Sequence, residues 1–496
     1  MTLDRTGNLA SNTGGLESKE AQKPRFSLKD AIRQARAFRR DEGGTLIVFA
    51  LFIFVLMLMV GGMAVDFMRF ESTRTKLQNT VDRAVLAAAS LNQPLDPQSV
   101  VEDYFAKAGM SDFLVSVNVQ ESLNSRIVTA NTNAVIPTLF LKMSGINSLS
   151  APAAGTAEES ESNVEISLVL DISGSMGRNN KIVNLRSAAK EFVNTMLKPE
   201  SVDKVSISLI PYTAQVNAGP AIFNQLNVVG PASTASRTYP LQPYTHCIDF
   251  DPVDFNSTAL DFSKAYRQMQ HFEWSSRSHH PINNPGCPKR TFERIVPFSQ
   301  SISSLENTIN QYRARANTAI HIGMKWGSAL LDPATRPIIA NLTSTGVVDS
   351  TFANRPAEWD DPDALKVVVL MTDGENVNTY RIRNWAYNSP SEYAFWNRNA
   401  LWYYLYRHVS SSRRYRYYYR KYSAAQADNM LSNICDAAKN NGITVFTIGF
   451  EVGNHGADVM RDCASTPSHF FRVEGVEISD AFRAIAHQIN RLRLTQ

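Results

Sequence analysis

The sequence predicts an α/β protein with a doubly wound, largely parallel sheet that carries large insertions, preceded by a single transmembrane helix and a small α+β segment. Two observations predict this architecture. An uncharged, strongly apolar run covers residues 43–65. From residue 163 onward, short apolar strands alternate with segments whose apolar residues recur at helical spacing. This alternation is typical of sheets whose parallel strands are joined by helices.

The composition is that of an ordinary globular protein. The chain has 496 residues, of which 44% are hydrophobic and 19% charged, so it is long enough for several domains and too apolar for a disordered chain. The 50 basic and 46 acidic residues give a net charge of only +4, which argues against a nucleic-acid binder. A mean hydropathy of −0.22 excludes a protein with many membrane spans.

The uncharged run is predicted to be a transmembrane helix over residues 43–67. At about 1.5 Å per residue it reaches across a hydrocarbon core of about 30 Å, and it is longer than the apolar core of a signal peptide. Six basic residues in 25–44 against four in 67–86 favour a cytoplasmic N-terminus. Residues 1–42 are then a disordered, basic cytoplasmic tail, and the rest of the chain is exported.

The part after the span is predicted to form a helix and then a small α+β segment. Apolar residues four apart, such as Leu77 and Val81, predict an amphipathic helix over 68–95 that continues from the span. Residues 96–162 form the α+β segment. Its end, Ser148–Ser162, is rich in Ala, Ser, Gly and Glu and is interpreted as a linker.

The large α/β domain is predicted over residues 163–494. Its most apolar segments are predicted strands, and they lie at Val164–Leu170, Val205–Ile210, Leu365–Thr372 and Ile443–Phe450. The third of them is nearly all apolar, as expected of a strand buried on both faces. Three stretches rich in Pro, Asn, Ser, Tyr and Trp do not fit this core and are interpreted as insertions between its elements. They lie near 213–294, 332–363 and 374–422.

Polar residues follow two of these strands directly. The first strand runs into Asp171, Ser173 and Ser175, and the strand Leu365–Thr372 runs into Asp373. Ligands of parallel α/β sheets bind at the carboxyl ends of the strands. Carboxylate and hydroxyl oxygens suit a hard cation such as Mg²⁺. The alternative is that the Asp-x-Ser-x-Ser segment only caps the following helix.

The motifs DISGSM and MTDGEN, each after an apolar strand, resemble the metal-ion-dependent adhesion site of von Willebrand factor type A domains. That site has the pattern Asp-x-Ser-x-Ser, a Thr from a second loop and an Asp from a third. The resemblance implies a von Willebrand A, Rossmann-like fold and a protein that binds an acidic group of a partner protein through the metal and is not an enzyme. It implies Mg²⁺, or else Mn²⁺ or Ca²⁺, held by Asp171, Ser173, Ser175, Thr318 and Asp373.

The segment LQNTVDRAVLAAA, residues 77–89, resembles bacterial Tad (tight adherence) pilus-assembly proteins of the TadE/TadG type. Proteins of the TadG type combine such a segment with a periplasmic von Willebrand A domain. The resemblance implies a single-pass inner-membrane protein whose partners are pilus or pilus-assembly components. Prepilin-like relatives are cut after a Gly that an acidic residue follows closely, whereas here the first acidic residue after Gly44 is Asp66. We therefore expect an intact anchor.

Two other functions fit the same residues. A surface adhesin could use the same metal site without a pilus, and a hydrolase could use the metal to activate water. The stretch Trp402–Tyr422 interleaves aromatic and basic residues, which fits a partner contact, a membrane surface or a locally folded insertion that packs its own tyrosines. The predicted export disfavours nucleic acid as its ligand.

The four cysteines all follow the span and predict two disulfides in an oxidising compartment. Four cysteines allow three pairings. We expect the two local pairs, Cys247–Cys287 and Cys435–Cys463. Zinc is an alternative for Cys287, because His271, His279 and His280 lie nearby in the sequence, although the spacing fits no standard zinc finger.

Overall fold

A computed structural model describes residues 29, 32–33, 36, 43–91, 93–121, 125–160, 162–275 and 282–493. The predicted tail, 1–42, thus lies outside the described residues except at four positions. The chain divides into two compact units. The first comprises Met1–Ala88, Gln98–Asn118 and Thr129–Thr156, and the second comprises Ala89–Pro97, Val119–Val128 and Ala157–Gln496.

The fold mixes helices and strands, as predicted. The helices are α1 (Gly43–Ala89), α2 (Pro97–Lys107), α3 (Lys181–Met196), α4 (Gly219–Phe223), α5 (Ile302–Asn310), α6 (Ile320–Ala329), α7 (Arg336–Ser344), α8 (Pro390–Arg398), α9 (Leu401–His408), α10 (Ala424–Asn440), α11 (Asn454–Cys463) and α12 (Ile478–Arg493).

The strands fall into four sheets. They are β1 (Leu114–Glu121), β2 (Ser125–Pro137), β3 (Ser148–Ser160), β4 (Asn163–Asp171), β5 (Val205–Tyr212), β6 (Val228–Val229), β7 (Ile248–Asp249), β8 (Tyr266–Gln268), β9 (Val296–Ser299), β10 (Ala364–Thr372), β11 (Thr379–Ile382), β12 (Tyr418–Tyr422), β13 (Thr444–Phe450) and β14 (Phe470–Val473).

The first unit is built on the long helix α1. Among the described residues, α1 is the one helix long and apolar enough to cross a membrane. Its later part has a buried stripe that includes Leu77, Val81 and Ala84. This stripe packs against β3, because a Cβ added at Gly155 would lie only 3.2 Å from Val81 Cγ1. The stripe therefore has the partner surface that an amphipathic helix requires.

The predicted linker Ser148–Ser162 is wrong, since strand β3 occupies most of it. Ala151 and Ala153 are buried, and Thr132 of β2 donates its hydroxyl to the Ala153 carbonyl at 2.7 Å. Alanine side chains suffice here because the helix lies close to the sheet. A strand whose buried positions hold only alanine looks like a linker in composition.

The second unit is built on a six-stranded sheet with the order β14-β13-β10-β4-β5-β9. All neighbouring strands pair in parallel except β5 and β9, which pair antiparallel. Strands β4 and β10 are buried along almost their whole length. The apolar runs 168–170 of β4 and 367–371 of β10 are what strands covered on both faces require.

Two hydrophobic clusters lie on the two faces of this sheet. Val367 and Val369 belong to one cluster and Val368 and Leu370 to the other, and successive side chains of a strand point to opposite faces. The first cluster includes residues of α3, α5 and α12, and the second includes residues of α6, α7 and α10. Helices therefore cover both faces.

Two of the predicted insertions fold together. Strands β6, β7 and β8 form one small sheet and β11 and β12 another. A separate cluster joins the two insertions and includes Phe272 of the first and Ile382, Tyr387 and Trp396 of the third. In the stretch Trp402–Tyr422, several aromatic side chains pack against this cluster. That packing supports the interpretation of a locally folded insertion.

Both expected disulfides form. Cys247 and Cys287 pair within the first insertion, and Cys435 of α10 pairs with Cys463 at the end of α11. Because Cys287 is in a disulfide, the zinc hypothesis is wrong for this residue. His271 contacts Asn397 Oδ1 through Nε2 at 3.0 Å, whereas His279 and His280 lie outside the described residues.

Candidate metal centre

Two neighbouring strands of the six-stranded sheet end at the predicted site. β4 ends at Asp171, and β10 ends at Thr372, directly before Asp373. The two strands pair with Leu170 opposite Met371, so both carboxylates lie at the same edge of the sheet. Asp171 is fully buried and Asp373 is 5% exposed.

Hydrogen bonds link the polar groups of the first and third loops. Asp171 accepts the Ser173 N–H at 2.7 Å and the Thr372 hydroxyl at 2.8 Å. The hydroxyl oxygens of Ser173 and Ser175 lie 2.9 Å apart. Ser175 donates its hydroxyl to Asp373 Oδ1 at 2.6 Å. The two carboxylates and the two hydroxyls therefore form one cluster.

The loop before α6, which contains Thr318, is the second loop of the site, and it reaches the same cluster. A Cβ added at Gly374 would lie 3.7 Å from Ser175 Oγ and 3.8 Å from Thr318 Oγ1. The first and second loops also contact each other directly, since the Gly174 N–H donates to the Ala316 carbonyl at 3.1 Å. The structure thus brings together all five side chains that the sequence pointed to.

Helix α6 holds Thr318 at the site, because the helix begins two residues after Thr318 and packs very closely on the sheet. A Cβ added at Gly323 would lie 2.8 Å from the Tyr212 ring, and one added at Gly327 would lie 2.5 Å from Val169 Cγ2. Side chains at these positions would push α6 away from the sheet. Two glycines four residues apart after the Thr loop are a sequence signal that could have identified this close approach.

Electrostatics make the cluster a candidate for cation binding. Burial, with the nearby charge of Asp373, raises the pKa of Asp171 to about 7. Lys181 at the start of α3 places its Nζ 3.1 Å from Asp373 Oδ2 and 3.5 Å from Glu451 Oε2. One ammonium thus faces two acidic side chains, Asp373 and Glu451.

Sequence reasoning missed three residues around the site. Lys181 and Glu451 are described above. Asn376 follows Asp373 in the third loop, where its Oδ1 accepts the Ile320 N–H at 2.8 Å and its Nδ2 donates to Asp428 at 2.9 Å. Asn376 therefore ties the third loop to the start of α6. Glu451 comes directly after β13, so the rule that sites lie at strand ends would have identified it.

These residues fit a hard divalent cation. All five donors are oxygens, which Mg²⁺ prefers, and a cation would relieve the repulsion between the two buried carboxylates. Within the described part of the chain, no group of three or more His, Cys, Asp or Glu side chains is arranged to hold a metal. A metal at this site would accordingly depend on the hydroxyls of the first two loops.

Comparison with known proteins finds similarity at the N-terminal helix. The family described as "Putative Flp pilus-assembly TadE/G-like" matches residues 43–91. None of the curated proteins matches the chain.

Several solved structures are distantly similar. The von Willebrand factor domain of the type V pili tip protein Mfa5 from Porphyromonas gingivalis is 15% identical, with a TM-score of 0.34, and the match covers 67% of this chain and 96% of that one. The pilus adhesin SpaC from Lactobacillus rhamnosus GG is 12% identical, with a TM-score of 0.30 and coverage of 76% and 33%. The PilB minor pilin from Streptococcus sanguinis is 14% identical, with a TM-score of 0.31 and coverage of 76% and 78%. Likenesses at this level assign no function.

Proposed function

We propose that this chain is a membrane-anchored protein of Tad/Flp pilus assembly or anchoring. Its second unit is a von Willebrand A-type domain with a doubly wound sheet, which binds Mg²⁺ and, through it, an acidic group of a pilus component. The observation that carries the proposal is the convergence of Asp171, Ser173, Ser175, Thr318 and Asp373 at one sheet edge. The family match over residues 43–91 supports the connection to pili.

The location follows from the same proposal. Helix α1 anchors the chain in the inner membrane with its N-terminus in the cytoplasm, and the bulk of the chain, which follows the span, lies in the periplasm. The basic residues before the span support this orientation. The two disulfides are consistent with an oxidising compartment.

The residues of the site have separate tasks in this proposal. The three hydroxyls and two carboxylates hold the cation, and Lys181 balances the charge of Asp373 at 3.1 Å. The buried hydrogen bonds of Asp171 fix its carboxylate before any metal arrives. Mg²⁺, when bound, supplies an open coordination position for an acidic side chain of the partner.

A metal-binding experiment tests the site itself. Thermal unfolding of the purified protein is measured in EDTA and with Mg²⁺, Mn²⁺ or Ca²⁺. We expect the metal to raise the midpoint of the wild type and to leave Asp171→Ala and Asp373→Ala unchanged. Asp360→Ala is the matched control, because Asp360 is an exposed carboxylate before the start of β10. Equal shifts in all four proteins would refute the metal site.

A binding experiment tests the partner. Solubilised membranes of the source bacterium are passed over the immobilised protein, and bound pilus components are identified. We expect their capture to require Mg²⁺ and to be lost in EDTA and in Asp373→Ala. If the metal binds but pilus components are captured equally well in EDTA, the metal site stands and the metal-bridged partner contact is wrong.

A further inference from the structure

We infer that the loop between β2 and β3, residues 138–147, inserts apolar side chains into the lipid interface beside the membrane span. The inference rests on the membrane anchor proposed for α1. It is independent of the metal site and of the pilus partner. The loop and α1 belong to the same compact unit.

Asp66 fixes the loop to the end of the span. It is the first charged residue after the uncharged run 43–65, and it is only 2% exposed. Its carboxylate accepts the backbone N–H groups of Leu139 at 3.0 Å, Phe140 at 2.7 Å and Leu141 at 2.8 Å. Three bonds to one carboxylate hold this turn against α1 where the apolar run ends.

The loop also extends alongside the apolar run. The ring of Phe140 lies against Gly62 so closely that a Cβ added at Gly62 would overlap the ring. Gly62 precedes Asp66 by four residues, which is about 6 Å along a helix. Phe140 therefore lies at the depth of the last apolar turn of the span and not beyond it.

Four of the side chains that the loop leaves exposed are apolar. Leu139 is 60% exposed, Met143 69%, Ile146 44% and Phe140 37%. Leu141 is the exception, since it is 4% exposed and anchors the turn. Exposed apolar groups that are grouped together mark an interaction surface. Because this group adjoins a lipid-facing helix, the occupant that fits it is the bilayer.

Lys142 is the one basic residue of the loop. It is exposed and lies between the apolar residues Leu141 and Met143. A lysine at the edge of an apolar surface can extend its ammonium to the lipid headgroups while its stem stays in contact with apolar atoms. The loop therefore suits an interface that contains anionic lipids.

A depth measurement on the full chain in nanodiscs of phosphatidylethanolamine and phosphatidylglycerol tests the inference. All four native cysteines are paired, so one introduced cysteine can carry an environment-sensitive NBD dye. We would label Met143→Cys in the loop and use Val115→Cys on β1 as the matched control, since Val115 is 67% exposed. Phe54→Cys within the span reports on the anchor itself.

We expect the dye at position 143 to be quenched by lipids with a doxyl group high on the acyl chain and to be protected from aqueous iodide. The dye at position 115 should show the reverse. Quenching at 143 by iodide, or equal lipid quenching at 115 and 143, would overturn the inference. If the dye at position 54 is not quenched by lipid, the proposed anchor has failed, which separates that failure from a failure of the loop.

Discussion

Replacement of Asp171 by Asn separates a metal site from a purely structural cluster. Asp171 is fully buried, and burial together with the charge of Asp373 raises its pKa from 3.8 to about 7. The folded-state pKa thus lies above the unfolded-state value. The contribution of Asp171 to the free energy of unfolding is fully present below pH 4. It is lost as the pH rises towards 7, because the unfolded chain releases the proton first.

The magnitude follows from this difference in pKa. At about 1.4 kcal/mol per pKa unit, ionisation of Asp171 lowers the free energy of unfolding by about 4 kcal/mol at pH 8 and about 2 kcal/mol at pH 5. Asn has the same shape, can accept the Ser173 N–H and can donate to the Thr372 hydroxyl. Without metal, Asp171→Asn should therefore be more stable than the wild type, by about 4 kcal/mol at pH 8.

Urea unfolding in EDTA and in Mg²⁺, at pH 5 and pH 8, measures both effects. Mg²⁺ should stabilise the wild type more at pH 8 than at pH 5, because it must displace the proton at the lower pH. It should leave Asp171→Asn unchanged, while Asp360→Asn should behave as the wild type. A lower stability of Asp171→Asn than of the wild type in EDTA at pH 8, or an equal shift of both proteins by Mg²⁺, would contradict these expectations.

Three further predictions follow from packing, the disulfides and a buried ion pair. Gly327→Leu should force α6 off the sheet and lower the free energy of unfolding by about 1–3 kcal/mol through overpacking. It should also abolish the stabilisation by Mg²⁺. If Mg²⁺ still stabilises this variant, α6 does not position Thr318 for the metal. Joint replacement of Cys435 and Cys463 by Ala should lower the free energy of unfolding by about 4 kcal/mol, given a sequence separation of 28 residues and the loop-entropy relation. Asp249→Asn removes the ion-pair partner of the largely buried Arg381 and Lys421. It should lower the free energy of unfolding by about 3–5 kcal/mol and speed hydrogen exchange in both insertions. Unchanged exchange would contradict this expectation.

Much of the candidate site could be predicted from the sequence because it lies at the ends of buried strands. Strands β4 and β10 each have an apolar run directly before the carboxyl end, so these ends, and with them Asp171 and Asp373, are visible without a structure. The disulfide pairs were also predictable from the sequence, because each joins two cysteines within one local part of the chain.

Other features depend on contacts between distant parts of the chain. Gly323 and Gly327 signal that α6 packs closely on another element, but the local sequence does not show that this element is the sheet at β4 and β5. That packing places Thr318 at the site. Lys181 looks like an ordinary helix residue until β10 brings Asp373 beside it. Strand β3 was missed because its buried positions hold alanines, whose burial depends on how closely α1 approaches.

The shared core of the first and third insertions has a consequence for how this protein can vary. Phe272 comes from one insertion and Tyr387 and Trp396 from the other, yet all lie in one hydrophobic cluster. Removal of either insertion alone would uncover the aromatic face of its companion. The two segments can therefore be exchanged between related proteins, or trimmed in the laboratory, only as a matched pair.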